Sequence, residues 1–338
     1  MKEDCAEGEL RAGTMGSDAP YGKRGRVPPV VVVAGPTASG KSAAALEIAR
    51  AFGGVVINAD SMQVYRELPV LTAQPSPEDQ ARVPHRLYGV LAAAEGCTVG
   101  RWRQMALAAI DEVLANGRLP VVVGGTGMYL KALIEGLAPV PPIAPGLRAE
   151  IAARERAIGT AALHAELARL DPVMAARLSP NDSQRVRRAY EVVVATGRSL
   201  ADFQRAQAPT ALTFVTLVLM PPRDLLYRAC DARCGAMVAA GAVEETRKLL
   251  DLNLDPSLPA MKAVGVRELG RYLAGELDLD RAVDLFRQAT RRYAKRQYTW
   301  FRNQMPGARV FVAQFSESLR SEMFSFIRNS VDRLGISI

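Results

Sequence analysis

The chain of 338 residues is poor in thiol and imidazole side chains, with four cysteines and two histidines, and it has no long hydrophobic run. So few cysteines exclude a disulfide scaffold. No apolar run approaches the roughly 20 residues that a membrane-spanning helix needs. Residues 1–27 contain no apolar stretch like that of a signal peptide. We therefore expect a cytoplasmic protein that does not enter a membrane, with residues 1–27 as a mobile tail.

The small number of potential ligands also argues against a zinc site. Cys230 and Cys234 lie one helical turn apart, a spacing that suits either a metal or two thiols on the buried face of a helix. Only His85 and His164 are available to complete a ligand set, and the sequence has no CxxC pair. We therefore favour two buried thiols and expect no zinc.

The first part of the chain has no excess of positive charge, and the whole excess lies in the second part. Residues 1–140 hold 14 basic and 14 acidic residues, whereas residues 141–338 hold 29 basic and 21 acidic ones. The segment Arg287–Arg302 has six basic residues and no acidic one. This asymmetry favours a large anionic partner, nucleic acid first, and the alternative is an ordinary solvated helix face.

The segment VVVAGPTASGKS, residues 31–42, matches the phosphate-binding pattern G-x-x-x-x-G-K-[ST]. A buried strand is predicted before the loop and a helix after it, which is the context that the pattern requires. The loop's N–H groups and lysine bind phosphate, and its last hydroxyl can hold Mg²⁺. A glycine-rich turn without a ligand is the alternative. The predicted phosphate-binding residues are Gly35, Pro36, Thr37, Ala38, Ser39, Gly40, Lys41 and Ser42, with Ser42 also as the Mg²⁺ ligand.

Strands and helices alternate over the first 140 residues, which indicates an α/β fold with a doubly wound parallel sheet of the P-loop NTPase-like kind. Strands are predicted at Val30–Val33, Gly54–Asn58 and Leu119–Gly125. Because ligands bind at the carboxyl ends of such strands, the three loops that follow them should meet at one site.

A proline-rich segment, Ala138–Gly146, interrupts this alternation. The following residues have a helical pattern, so we expect a small helical insertion domain before a strand in Ala211–Met220 rejoins the sheet. One long helix is expected over Asp224–Leu250, with further helices to the end. The predicted division is a tail over 1–27, a first part of the core over 28–142, the insertion over 143–208 and a second part of the core over 209–338.

Two of the three loops carry side chains suited to catalysis. Asp60 follows the second strand, where its carboxylate can bind Mg²⁺ through water or accept a proton from a substrate amine. Thr126 lies at the start of a helix, behind Gly124 and Gly125, which permit close approach of backbone. The alternatives are a turn aspartate and a helix-capping threonine.

Six segments together resemble the successive signatures of the bacterial tRNA dimethylallyltransferase family, also called isopentenyl-tRNA transferases. They are GPTASGKS, DSMQVYR, GGTGMYLKAL, NDSQRVRRAYEV, MKAVGVRELGRYLAGE and AKRQYTWFRN, in the family's order. The first is shared by many nucleotide-binding proteins, whereas the co-occurrence of six is highly specific. Gln74 and Gly89 depart from the family's usual lysine and aspartate.

The resemblance implies transfer of a dimethylallyl group from dimethylallyl diphosphate to the N6 atom of the adenosine that follows the anticodon of tRNA. The phosphate-binding loop would then hold the diphosphate leaving group together with Mg²⁺ and Arg233, and Arg223 is a second candidate. An ion pair of Arg233 with Asp231 or Glu244 is the alternative.

The resemblance also implies which residues handle tRNA. Asp60 would accept the proton of N6, with Thr126 close to the same nucleotide. The implied contacts to the anticodon stem-loop are Asp60, Ser61, Met62, Gln63, Thr126, Arg148, Gln184, Arg185, Val186, Arg187, Arg188, Lys262, Arg267, Lys295, Arg296 and Arg302. Tyr298, Trp300 and Phe301 can stack on bases, although core packing is favoured for them. We expect a monomer.

Two other classes of function are open at this point. A small-molecule P-loop kinase shares the predicted core and the aspartate loop, but it leaves the basic C-terminal segment without a role. A nucleotide-regulated RNA-binding protein would need a guanine-reading N-K-x-D-like segment, and the sequence contains none. The prenyltransferase interpretation accounts for the most segments.

Overall fold

The computed structural model describes residues 29–208 and 210–334, so the predicted tail over residues 1–27 lies outside the described part. Within it, six strands form one parallel sheet in the order β3–β2–β4–β1–β5–β6. This confirms the α/β prediction. The strands are β1 (Val30–Ala34), β2 (Val55–Asn58), β3 (His85–Arg86), β4 (Pro120–Gly124), β5 (Phe214–Leu219) and β6 (Arg309–Phe311).

Helices cover both faces of the sheet because successive strand residues point to opposite sides. Val30 and Val32 of β1 belong to one apolar core, and Val31 and Val33 belong to the other. The helices are α1 (Lys41–Ala51), α2 (Pro77–Arg82), α3 (Val99–Ala115), α4 (Gly127–Glu135), α5 (Pro145–Ile158), α6 (Thr160–Leu170), α7 (Pro172–Ala175), α8 (Ser183–Thr196), α9 (Leu200–Arg205), α10 (Arg223–Ala239), α11 (Ala242–Asp251), α12 (Val266–Leu273), α13 (Leu279–Gln304) and α14 (Glu317–Arg333), with a 3₁₀ turn at Ala260–Lys262.

Helices α5–α9 lie between β4 and β5 in the chain and have an apolar core of their own. Leu163 and Leu167 of α6 are fully buried against Val186 and Ala189 of α8. This packing gives the inserted helices a source of stability separate from the sheet. The exact bounds of the insertion domain stay a prediction.

Two expectations about the C-terminal part are wrong in detail. The single helix expected over Asp224–Leu250 is divided into α10 and α11 at Gly241, whose φ of 100° cannot continue a helix. The edge strand β6 was expected to be helical, and its three residues are too few for a periodic pattern.

Candidate active site at the carboxyl edge of the sheet

The loop between β1 and α1 has the backbone that the phosphate-binding pattern predicts. Gly40 takes a left-handed conformation with φ of 85°, and a Cβ there would lie 2.9 Å from the Cβ atom of Phe315. The next residue, Lys41, is buried, and its Nζ donates to the carbonyl of Pro36 at 3.3 Å. The lysine therefore lies folded over its own loop.

The charge of Lys41 is costly in this position. Burial lowers the pKa of Lys41 from 10.5 to about 8, Asp60 partly offsets that effect, and Arg233 adds to it. A bound anion would favour the charged form of the lysine and would remove part of this cost. The loop is therefore electrostatically suited to a phosphate ligand.

The loop after β2 is fixed by a buried asparagine. Asn58 Oδ1 accepts from the N–H of Asp60 at 2.7 Å, and Asn58 Nδ2 donates to the carbonyl oxygens of Asp60 and Leu87, both at 3.1 Å. Asp60 Oδ1 accepts from the N–H of Met62 at 2.9 Å. One oxygen of Asp60 thus serves the turn, and this bond orients the carboxylate.

The loop after β4 is joined to the Asp60 loop through Thr126. Thr126 precedes α4, at its N-cap position, but its side chain makes no bond to that helix. Its Oγ1 instead accepts from the N–H of Ser61 at 2.9 Å and donates to Ser61 Oγ at 3.2 Å. Thr126 therefore occupies the cap position, as the alternative has it, but its side chain connects two of the three loops and does not cap the helix.

The loops after β1 and β2 line a cavity of about 200 Å³, whereas the loop after β4 does not line it and is joined to the Asp60 loop through Thr126. Its polar lining includes Thr37, Asp60 and Arg233. Leu71 and Phe286 belong to an apolar wall on the same cavity. The space therefore combines groups that can bind an anion, accept a proton and contact a hydrocarbon.

Arg233 reaches this cavity from α10 without a carboxylate partner among the described residues. Its Nη2 donates to the carbonyl of Thr72 at 3.2 Å, and burial lowers its pKa. Asp231 pairs with Arg291, and Glu244 pairs with Arg247. The ion-pair alternative for Arg233 is therefore wrong.

Arg223, the second candidate, lies outside the cavity. Its side chain is exposed, and its guanidinium lies 5.3 Å from the centre of the Tyr298 ring. Of the two candidates for the leaving group, only Arg233 lines the cavity.

Ser42 lies on the other side of the loop, at a second cavity of about 300 Å³. Its side chain is exposed, and Gln63 and Asp79 line the same space. The described residues contain no cluster of three or more His, Cys, Asp or Glu side chains that could hold a metal by themselves. Any Mg²⁺ at Ser42 would therefore need oxygen atoms from substrate and water.

The basic residues of α13 and its surroundings are open to solvent. Lys295 and Arg296 line a groove of about 560 Å³, and Arg296 also lines the smaller cavity. The remaining predicted contacts that are exposed include Arg148, Gln184, Lys262, Arg267 and Arg302. Arg296 is therefore the residue at which the groove and the cavity meet.

The arginines of α8 are already engaged with acids. Arg185 pairs with Asp182 at 3.5 Å, Arg187 with Glu155 at 2.9 Å and Arg188 with Glu191 at 3.3 Å; these pairs are at the surface or half-buried. Val186 is fully buried in the core of the insertion. Its inclusion among the tRNA contacts is therefore wrong, because its side chain faces inward.

The thiols and the aromatic residues follow the packing that the sequence favoured. Cys230 and Cys234 are both fully buried, and Cys234 Sγ donates to Thr290 Oγ1 at 3.3 Å. Phe301 is buried, and Tyr298 and Trp300 pack partly buried against apolar clusters. Core packing is confirmed for Phe301, whereas Trp300 also lines the open groove beside Lys295 and Arg296.

Two residues of the site were missed by sequence reasoning. Tyr293 lines the cavity, and burial together with Asp60 raises its pKa. Gln297 bonds to the phosphate-binding loop. Together with Trp300 they have the spacing i, i+4, i+7, which places them on one face of a helix. This spacing within the basic segment could have identified a separate face of the helix, but the segment was interpreted by its charge alone.

Comparisons with known proteins agree on one family. A family model described as IPP transferase matches residues 63–304, and one described as isopentenyl transferase matches residues 28–90. A tRNA dimethylallyltransferase of Rhodospirillum rubrum is 56% identical over 306 residues, which cover 88% of this chain and 94% of the relative. One of Rhodospirillum centenum is 57% identical over 286 residues, which cover 84% and 91%.

Two solved structures have the same fold. The tRNA isopentenylpyrophosphate transferase of Bacillus halodurans is 33% identical, with a TM-score of 0.68 over 91% of this chain and 98% of its own. A eukaryotic dimethylallyltransferase described as acting on tRNA is 26% identical, with a TM-score of 0.77 over 89% of this chain and 79% of its own.

Proposed function

This chain belongs to the tRNA dimethylallyltransferase family, and from that premise we propose how its sheet-edge cavity divides the work between two substrates. The protein is a tRNA prenyltransferase. The donor that we propose is dimethylallyl diphosphate, and the acceptor atom is N6 of the adenosine that follows the anticodon. A small-molecule kinase is not favoured, because the relatives share nearly the whole chain.

One observation supports this division most strongly: Asp60 and Arg233 line one cavity, Lys41 of the adjoining loop interacts electrostatically with both, and burial lowers the pKa of both cations. When the allylic carbon loses diphosphate, negative charge develops on the leaving oxygens. Lys41, the loop amides and Arg233 stabilise that charge. Their fixed positions before the reaction mean that little reorganisation is needed.

The acceptor amine is a weak nucleophile because its lone pair is delocalised into the adenine ring. Asp60 accepts the N6 proton as the new carbon–nitrogen bond forms, and Thr126 keeps the Asp60 loop in place through Ser61. The base must leave the anticodon-loop stack to reach the cavity.

Mg²⁺ is part of the proposal through Ser42. The exposed hydroxyl of Ser42 suits an ion that retains water and takes its other ligands from phosphate oxygens. When bound, the ion would neutralise part of the charge on the leaving diphosphate.

The exposed cations of α13 supply the proposed tRNA surface. Lys295 and Arg296 line the open groove, and Arg296 continues to the cavity, so an RNA strand along the groove would deliver a flipped base inward. A cytoplasmic location and a monomeric state stay predictions.

The experiment that tests this function supplies labelled dimethylallyl diphosphate, Mg²⁺ and unmodified tRNA without ATP. We expect label in the tRNA and release of diphosphate in equal amounts. A strict requirement for ATP, or label that never enters RNA in the presence of folded protein, would contradict it.

A further inference from the structure

Helix α13 carries a buried amide that joins two of the active-site loops. Gln297 is only 6% exposed in the middle of a helix otherwise rich in charge. Its Oε1 accepts from the N–H of Thr37 at 2.8 Å, and its Nε2 donates to the carbonyl of Gly125 at 2.8 Å. Both distances are typical of good hydrogen bonds, so the two ends of the amide are each assigned one partner.

The two partners of Gln297 belong to opposite halves of the proposed reaction. Thr37 lies in the loop that would hold the diphosphate, whereas Gly125 directly precedes Thr126. Since Thr126 accepts from the N–H of Ser61, two hydrogen bonds of Gln297, the Gly125–Thr126 peptide link and the Ser61 bond connect the donor loop to the Asp60 loop.

The absence of side chains on the neighbouring loop permits this contact. A Cβ on Gly125 would lie 2.4 Å from Gln297 Nε2, and a Cβ on Gly127 would lie 2.3 Å from the ring of Trp300. Gln297 and Trp300 therefore hold the backbone on both sides of Thr126. The residues beside them in the sequence, Lys295 and Arg296, are exposed. One face of α13 thus fixes the loops while the other faces solvent.

We propose that Gln297 is a positioning residue that sets the phosphate-binding loop and the Thr126 loop at the separation required for transfer. The inference rests on the proposed function, because that function assigns donor and acceptor to the two loops. Gln297 does not line the cavity, so it acts through Thr37 and Gly125 and touches neither substrate.

The test compares Gln297→Leu, which removes both bonds at similar volume, with Thr246→Val as a matched control. Thr246 is fully buried, and its hydroxyl bonds only within α11, to the carbonyl of Ala242 at 2.8 Å. Four quantities are measured for each protein: the melting temperature, the affinity for pyrophosphate with Mg²⁺, the affinity for tRNA, and the single-turnover rate at saturating substrates.

We expect Gln297→Leu to weaken pyrophosphate binding and to leave tRNA affinity within about twofold. At a temperature well below the melting temperature of the variant, its single-turnover rate should be about 10- to 100-fold lower than that of the wild type. Gln297→Asn keeps the amide on a shorter arm and should give an intermediate rate. It also replaces the leucine variant if that variant does not fold. Thr246→Val should keep the wild-type rate.

A wild-type single-turnover rate in folded Gln297→Leu or Gln297→Asn would overturn the proposal. So would a loss of rate in Thr246→Val equal to that in the Gln297 variants, since that result indicates a general effect of stability. If the wild-type protein transfers no label, the proposed function fails. The pyrophosphate affinity of the Gln297 variants then still reports whether this residue positions the loop.

Discussion

Positive charge is held in opposite ways at the edge of the sheet and in the inserted helices. Lys41 is buried and Arg233 half-buried, and neither has a carboxylate within ion-pair distance in the described part of the chain. Arg187 and Arg188 of α8 lie nearer the surface and are paired with Glu155 and Glu191. The cations at the sheet edge thus lack a carboxylate partner, whereas those of α8 are paired with carboxylates of the insertion.

This difference indicates where a ligand is needed. A buried cation without a partner is expensive and is typical of functional sites, where a bound anion completes it. A partly exposed ion pair contributes between zero and about 1 kcal/mol. Because Glu155 and Glu191 are themselves buried, their arginines gain little by exchanging a carboxylate for an RNA phosphate. We therefore expect large effects from the sheet edge and small effects from α8.

The largest effect should come from removing the carboxylate of Asp60, which interacts electrostatically with both cations. Asp60→Asn keeps an oxygen that can accept from the N–H of Met62 but cannot take the N6 proton, so the turn survives without the base. We expect the single-turnover rate to fall about 10²- to 10⁴-fold with pyrophosphate affinity nearly unchanged. A near-normal rate at saturating tRNA would show that Asp60 only shapes its turn.

Arg233→Ala should have the next largest effect. Loss of one charge-assisted contact to diphosphate should lower the rate of transfer about 10- to 100-fold by weakening the interaction with the donor. Arg233→Lys should restore only part of this rate, because a lysine lacks the planar guanidinium. Arg247→Ala, which removes an exposed arginine paired with Glu244, is the matched control and should be neutral. Steady-state rates at varied donor concentration give the comparison.

The pH dependence of pyrophosphate binding should report Lys41. Its pKa of about 8 means that the lysine is mostly charged at pH 7 and mostly neutral at pH 9. Since the charged form binds the anion, affinity should fall about tenfold across that range. Lys41→Met, measured in parallel, corrects for the ionisation of pyrophosphate itself. A constant ratio between the two proteins would mean that Lys41 keeps its charge throughout.

The smallest effect should come from the insertion. Arg188→Ala removes one member of an existing ion pair with Glu191 and should change tRNA affinity by no more than about threefold at moderate salt. Filter binding or fluorescence titration measures this. A loss of tRNA affinity of tenfold or more would contradict the difference between the two regions and would make α8 a principal RNA contact.

The loops of the site could be predicted from sequence because each is defined by local chemistry. Gly40 and Lys41 end the loop that follows β1, and Asp60 lies in the loop that follows β2, so parallel topology places both loops at one edge of the sheet. Gln297 could not be assigned in this way, because its partners Thr37 and Gly125 are 260 and 172 residues away in the chain. Such contacts depend on tertiary packing.

Helical periodicity was partly informative. The alternation of buried and exposed residues in α8 was available from the sequence, yet Val186 was placed among the RNA contacts with its charged neighbours. In the sequence, only a single glycine, Gly241, indicates the break between α10 and α11. In both cases a segment was treated as uniform although its residues have different environments.

In the proposed mechanism, separate cations serve the donor and the acceptor. The most direct measurement is the slope of log tRNA affinity against log salt for the wild type, Lys295→Ala and Arg233→Ala. Lys295 lines only the open groove, so its loss should flatten the slope by about 0.7 to 1. Arg233→Ala should keep the wild-type slope. Unchanged slopes in Lys295→Ala, or a flattened slope in Arg233→Ala, would contradict the division.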